Sequence, residues 1–432
     1  MDEAEIQRAL AAAREARRGN RTGEAAELLQ SLIERAGEHP VALNMLGLTL
    51  LAEARQGEAG ALFRRAIAAD PHSPELWMNL ARAFREQGDA RGERQALEGA
   101  LAIDQRHFMA LVRLAELHER TGDPTSAAER WSGVLALAAM MDERPPALDS
   151  MLDHAREVVA AQRAGFAAAV DSGLEEARRG LGRAERRRFD ASIDHALGRR
   201  EIYANQPAGM HFPFLPADEF FERSHFPWLE RIEAETDVIR AELEALLAED
   251  RSAIRPYVAM EPGTPANKWS PLDHKLDWGA LHLWKDGLRD EAVCARVPKT
   301  AAAVEALPLS DLPGRTPTVF FSLLEPGTHL PAHTGVSNVR AIIHLPLIVP
   351  PGCAFRVGGE TREWEVGRAW AFDDTIEHEA WNRSDRLRAI LIFDVWNPYI
   401  TEIERDLLRR FYRVAAAANG GTGGGAGIAI SD

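Results

Sequence analysis

Cysteine is nearly missing from this chain of 432 residues: only Cys294 and Cys353 occur. Two thiols support neither a disulfide framework nor a cysteine-based zinc site. Long apolar runs are missing too. No stretch of about 20 apolar residues occurs, so no membrane-spanning helix is expected. Cationic side chains fall short of acidic ones, 51 Lys and Arg against 66 Asp and Glu, for a formal net charge of −15. That balance argues against general nucleic-acid binding, because phosphate contacts need surplus Lys and Arg. The opening residues, MDEAEIQRAL, lack the positive n-region and apolar core of a secretory signal. Together these absences point to a cytoplasmic protein. Hydrophobic residues at 46% and charged residues at 27% are ordinary for soluble domains. The length allows two or three of them.

What is present begins with a repeat. On a frame of about 34 residues, the segment 74–107 places Trp77, Leu80, Ala81, Phe84, Gly88, Leu97, Ala100 and Asp104. The segment 40–73 sets Leu43, Leu46, Gly47, Leu50, Ala59, Phe63 and Ala66 on the same frame, and 108–141 sets Leu111, Leu114, Ala115, Gly122, Ala127 and Trp131. A weaker copy spans 6–39. Small residues at fixed offsets let paired helices approach, and large ones fill the gaps between pairs. Residues 1–141 thus resemble a tetratricopeptide-repeat array, an all-α solenoid whose concave face suits an extended peptide. A spacer or dimer surface is the alternative use.

Residues 142–202 stay helical, rich in Ala, Arg and Glu, and read as a cap or linker. The cationic stretches Arg178–Arg183 and Arg186–Arg188 read as a solvated face. From Tyr203 the composition changes. Gln206-Pro207-Ala208-Gly209 and His211–Pro216 mark an extended segment with turns. An amphipathic helix is expected near Trp228–Leu247. Residues 250–315, with many prolines and no long period, read as loops and short elements. Strand-like runs then crowd together: Thr316–Leu324, Val339–Val349, Ala354–Val357, Thr361–Val366, Ala369–Asp373, His378–Asn382 and Leu387–Trp396. Turns such as Pro350-Pro351-Gly352 separate them. This spacing argues for an antiparallel barrel or double-sheet jelly roll. A last helix is expected from about Glu402, and six glycines between Gly420 and Gly427 predict a disordered tail over 416–432.

The chemistry concentrates in the strand-rich part. His333-Thr334-Gly335 is followed 45 residues later by His378 and ten further on by Arg388. Two imidazoles that far apart share a metal only if the fold pairs their strands. Arg388 opens the apolar run Ala389–Phe393, where an unpartnered charge is costly, so an anionic ligand is expected beside it. The set points to a non-haem iron oxygenase, whose usual face is two His and one carboxylate. Gly335 stands where the carboxylate of a His-x-Asp/Glu motif would be. Asp373, Asp374 or Glu377 could rotate in, but Glu377 adjoins His378 on a strand and should face away from it. A water in the vacated position is the simpler solution.

The stretch Pro326–His329, Ala332–Gly335, Asn338–Arg340, His344-Leu345, Phe372–Asp374, Glu377–Asn382, Arg388 and Asp394–Pro398 resembles the aspartyl/asparaginyl β-hydroxylase family. The resemblance runs over roughly Tyr203–Phe411, within an oxygenase domain set at 203–415. It implies a double-stranded β-helix (jelly-roll, cupin-like) and an Fe(II)- and 2-oxoglutarate-dependent dioxygenase using O2. It also implies a metal held by two His with Gly in the acidic place. By resemblance, His333 and His378 are the metal ligands, and Arg388 and Ser322 hold the distal carboxylate of 2-oxoglutarate. His344 lies near that co-substrate, and Arg340 faces the active site to hold a substrate carboxylate. Two departures stand out. Ile342 replaces a second Arg of the animal members, and Ala301 replaces the cysteine that would pair with Cys294. The expected reaction is hydroxylation of a C–H bond, plausibly Cβ of an Asp- or Asn-type residue in a peptide presented by the repeats. The alternatives are a lipid acyl-chain hydroxylase and a non-catalytic repeat scaffold with an inert barrel.

Overall fold

The computed structural model describes residues 1–418. It divides into two compact units between Arg188 and Phe189, ahead of the composition change at Tyr203. The glycine-rich tail beyond Ala418 lies outside the described residues.

The first unit is helical throughout. Eight helices run between Glu3 and Ala139 and associate as successive antiparallel pairs. A long helix, Asp149–Arg178, packs on the last of them. The small residues of the repeat act as the sequence suggests. A Cβ added at Gly47 would lie 2.7 Å from the Phe63 ring, and one at Gly99 would run into the Trp77 indole. Each glycine is therefore a seat for the large side chain of the partner helix. Between repeats, Arg120 reaches the buried Glu93 at 2.8 and 2.9 Å, and the Asn79 amide donates to Asn44 at 2.9 Å.

The second unit is built on two antiparallel sheets. Its strands are β1 (Arg255–Pro256), β2 (Trp278–Lys285), β3 (Leu288–Arg289), β4 (Val319–Leu324), β5 (His329–His333), β6 (Arg340–Ile348), β7 (Cys353–Val357), β8 (Glu360–Glu363), β9 (Trp370–Phe372), β10 (His378–Asn382) and β11 (Arg388–Trp396). The large sheet has the order β1-β2-β4-β11-β6-β9, with β3 paired to β2; the small one is β5-β10-β7-β8. Among the described residues neither sheet closes on itself, so the observed architecture is two antiparallel sheets rather than one closed barrel. From β4 to β11 the chain passes back and forth between the sheets, which gives them a shared interior.

Alternation along β11 decides what lies on each side. Ala389, Leu391, Phe393 and Val395 belong to a core that includes apolar residues of the helices Leu229–Ala234, Thr236–Glu249, Glu291–Arg296 and Pro298–Glu305. Arg388, Ile390, Ile392, Asp394 and Trp396 point the other way. On that inner side Trp278, Leu324, Ile342, Phe372 and Ile390 pack with Leu330, Cys353, Phe355, Val357 and Ala380 of the small sheet.

Two sequence expectations need correction. The helix anticipated over Trp228–Leu247 is two helices, broken at Glu235. The region 250–315, expected as loops and short elements, also holds a long strand. It supplies β2, which lies well inside the large sheet and hid its strand character because it is buried on both faces and shows no alternation. It also supplies the two short helices that carry Cys294 and Ala301. Both cysteines are free and buried. Among the described residues no helix is long and apolar enough to cross a membrane.

Candidate functional site

The two histidines that the sequence separates are direct neighbours in the ladder. His378 on β10 stands opposite His333 on β5, and their ring centroids are 4.1 Å apart. Both rings are fixed by the same local device. Nδ1 of His333 lies 2.7 Å from the Pro331 carbonyl, and Nδ1 of His378 lies 2.9 Å from the Ile376 carbonyl. A carbonyl only accepts, so each Nδ1 carries the proton and donates it, and each Nε2 keeps its lone pair free. Burial holds both imidazoles neutral: His378 is pulled down to about 4, and His333 falls well below the usual histidine value through burial and the nearby His378. Trp269 sets its ring edge-on against His333 with centroids 4.9 Å apart.

Arg388 begins β11 on the inner face and is 1% exposed. Among the described residues no carboxylate pairs with it. Nη1 makes only long contacts to Ser322, 3.3 Å to the hydroxyl and 3.5 Å to the carbonyl, and Nε has no partner. Burial alone pulls this guanidinium down to about 10. Ser322 is buried on β4 and accepts from the Trp278 indole at 3.1 Å. His344 on β6 is buried beside Phe355 and Phe372, with ring centroids 4.9 and 4.8 Å away. Its Nδ1 has no partner, and burial followed by the charge of Arg388 holds it well below the ordinary value.

Arg340 is the contrasting case. It stands opposite Trp396 at the far end of β11 and pairs with Asp394 at 2.8 Å and Asp374 at 3.3 Å. Burial opposes its charge, but the two carboxylates outweigh that and raise its pKa above the usual arginine value. Asp374 also explains Gly335. A Cβ on Gly335 would run into the Asp374 carboxylate, and the Gly335 N–H donates to the Asp374 carbonyl. The position that Gly335 leaves empty in the motif is thus filled from the loop before β10.

A cleft of about 370 Å³ reaches His333, lined besides by Gln206, Pro207, Ala208, Lys268, Ala332, Thr334 and Glu377. Its rim is held by the extended segment from Asn205. Gln206 donates to the Thr375 carbonyl, Ala208 to that of Gly335, and the Asn205 amide to Asp373. Glu377 faces this cleft and pairs with Arg356, so it does not join the imidazoles. Among the described residues no group of three or more His, Cys, Asp and Glu could hold a metal.

Sequence reasoning singled out His333, His378, Ser322, His344, Arg388 and Arg340, and all lie on the interior of the two sheets. It missed Trp364, Trp269 and the roles of Asp374 and Asp394. Trp364 sits in the polar run Glu360–Glu365 and carried no signal.

The second unit is thus a domain of two antiparallel sheets whose interior holds a pair of buried imidazoles and a buried guanidinium that no described carboxylate neutralises. Residues 233–398 match the aspartyl/asparaginyl β-hydroxylase family, and residues 10–74 and 57–107 match the tetratricopeptide repeat. The chain therefore joins a domain of that hydroxylase family to tetratricopeptide repeats. Aspartyl/asparaginyl beta-hydroxylase of Mus musculus is 41% identical over 136 residues, 31% of this chain and 18% of that protein. Ornithine lipid ester-linked acyl 2-hydroxylase of Rhizobium tropici is 35% identical over 181 residues, 41% of this chain and 60% of that protein. Aspartate beta-hydroxylase domain-containing protein 1 of Homo sapiens is 30% identical over 239 residues, 53% and 57% respectively. The chain thus spans less than two thirds of each of these relatives.

Proposed function

We propose that the second unit is an Fe(II)- and 2-oxoglutarate-dependent dioxygenase with a double-stranded β-helix fold, hydroxylating a C–H bond. The observation that carries this reading is Arg388, a fully buried cation with no carboxylate partner among the described residues, in the same two-sheet unit as two imidazoles whose Nε2 lone pairs are free. Desolvating an ion costs several kcal/mol, and leaving it unpaired is worse. A dicarboxylate fits: one end meets Arg388 and Ser322, as a fork of N–H donors and a hydroxyl meet carboxylate oxygens.

His333 and His378 would hold the metal. Iron(II) bound there supplies, with 2-oxoglutarate and O2, oxidative decarboxylation to succinate and CO2 and delivery of one oxygen atom to the substrate. The protein supplies the rest. The Pro331 and Ile376 carbonyls orient the two rings. The inner aromatic residues keep the interior dry. Arg340 would meet the substrate through its Nε, the one guanidinium nitrogen that makes no hydrogen bond to Asp374 or Asp394. The repeat unit would present the substrate, a peptide or protein with an Asp- or Asn-type residue, in a cytoplasmic setting.

A lipid acyl chain is the second reading. The name of the Rhizobium tropici relative supports it, as does Ile342, which puts a buried apolar side chain where the animal members have a second Arg. The test is turnover: purified protein with Fe(II) and 2-oxoglutarate gives a weak visible charge-transfer band without oxygen and succinate once air is admitted. Absence of both leaves a repeat scaffold with an inert sheet domain. Detergent-dependent turnover selects the lipid.

A further inference from the structure

Trp364 has no part in the reading above, yet it stands against its central cation. The Arg388 guanidinium carbon lies 4.9 Å from the Trp364 ring centroid, and the His344 ring is 6.3 Å away. The indole also stacks with Phe355 at 5.6 Å and 26° and with Trp370 at 5.9 Å and 21°. Trp364 is 7% exposed, and its Nε1–H has no acceptor. A buried indole N–H normally finds a partner, because leaving it unmet costs the full desolvation of the group. Two unmet nitrogens, His344 Nδ1 and Trp364 Nε1, thus belong to rings next to a cation whose own Nε is unmet. Arg388 Nε and Trp364 Nε1 can only donate, and His344 donates in its Nδ1–H tautomer. The ligand that satisfies all of them is rich in acceptors and carries negative charge.

We infer that Trp364 is a binding and positioning residue for the carboxylate anchored at Arg388: its ring face holds the guanidinium, and its Nε1–H donates to the bound carboxylate. This rests on the reading of Arg388 as the 2-oxoglutarate anchor. It adds a donor that only the distal carboxylate meets, so it favours a diacid over a 2-oxo monoacid.

The test is calorimetric titration of the full chain, loaded with Zn(II), using 2-oxoglutarate and 2-oxopentanoate, in which a methyl replaces the distal carboxylate. Trp364→Phe keeps the ring and removes the N–H. It should bind 2-oxoglutarate about tenfold more weakly, as loss of one hydrogen bond to a charged group implies, and 2-oxopentanoate with unchanged affinity. Trp364→Leu also removes the ring and should weaken the diacid several-fold further. Equal losses on both ligands would reduce Trp364 to a packing residue and overturn the inference. So would an unaltered diacid affinity in Trp364→Phe, the conservative variant that keeps the test open if Trp364→Leu fails to fold. Wild-type protein that binds neither ligand defeats the co-substrate reading itself, a separate result.

Discussion

Arg340 and Arg388 lie at opposite ends of one face of the large sheet, and the protein treats them differently. Arg340 is closed in by Asp374 and Asp394, whereas Arg388 has an aromatic ring, a hydroxyl and no carboxylate. Both charges are removed from most of their water, so both need a counter-charge. Where the chain supplies it, the ion pairs tie β6 to β11 and to the loop before β10. Where it does not, the proposed co-substrate carboxylate would supply it. A buried charge is informative about ligands only after its neighbours are known.

Neutralising each arginine should pull the two ends apart most. Arg340→Leu leaves two buried carboxylates uncompensated and should cost about 3–5 kcal/mol in urea unfolding. Arg388→Leu removes a charge that had no partner. It should leave stability unchanged or higher while weakening 2-oxoglutarate at least about a hundredfold. If both variants lose stability alike, the distinction between them is wrong.

The Arg340 end can be probed through Gly335. Because Asp374 occupies the space a side chain would need, Gly335→Ala should destabilise by about 1–3 kcal/mol. On an Asp374→Gly background the same change should cost clearly less, a coupling that unfolding of the four proteins in a double-mutant cycle measures. Additive losses would mean that the two positions do not share that space.

The imidazoles between the two ends make a pH prediction. A histidine whose folded pKa is depressed stays neutral as pH falls through the unfolded value near 6.5, and protonates only near the folded one. In metal-free protein, His378 should show the Nδ1–H tautomer by long-range proton–nitrogen NMR and titrate near 4. Its contribution to stability is present above about 6.5 and is lost as pH falls towards 4. A midpoint near 6.5, or an Nε2–H tautomer, contradicts the preset donor pair. The smallest effect is expected at the Arg388 end: Ser322→Ala removes one hydroxyl contact and should weaken 2-oxoglutarate about fivefold.

Much of this was legible from residues alone, for reasons that differ by place. The repeats could be read because a helical hairpin needs small residues at fixed offsets, as Gly47 against Phe63 illustrates. Arg388 stood out because a charge opening an apolar strand violates the pattern around it. The strand β2 did not, since burial on both faces removes the alternation that reveals a strand. Pro331 and a half-exposed pattern likewise hid β5, the strand that carries His333. The partners of Arg340 and the seat of Asp374 are properties of register across β6, β11 and the loop before β10. Trp364 was invisible because a lone aromatic in a polar run reads as surface.

The most direct measurement is a crystal structure of the full chain grown with Mn(II) and 2-oxoglutarate under anaerobic conditions. Anomalous density should place one metal ion on the Nε2 atoms of His333 and His378, with the distal carboxylate of 2-oxoglutarate against Arg388. Metal bound elsewhere, or Arg388 still without an anion at saturating ligand, would contradict the assignment.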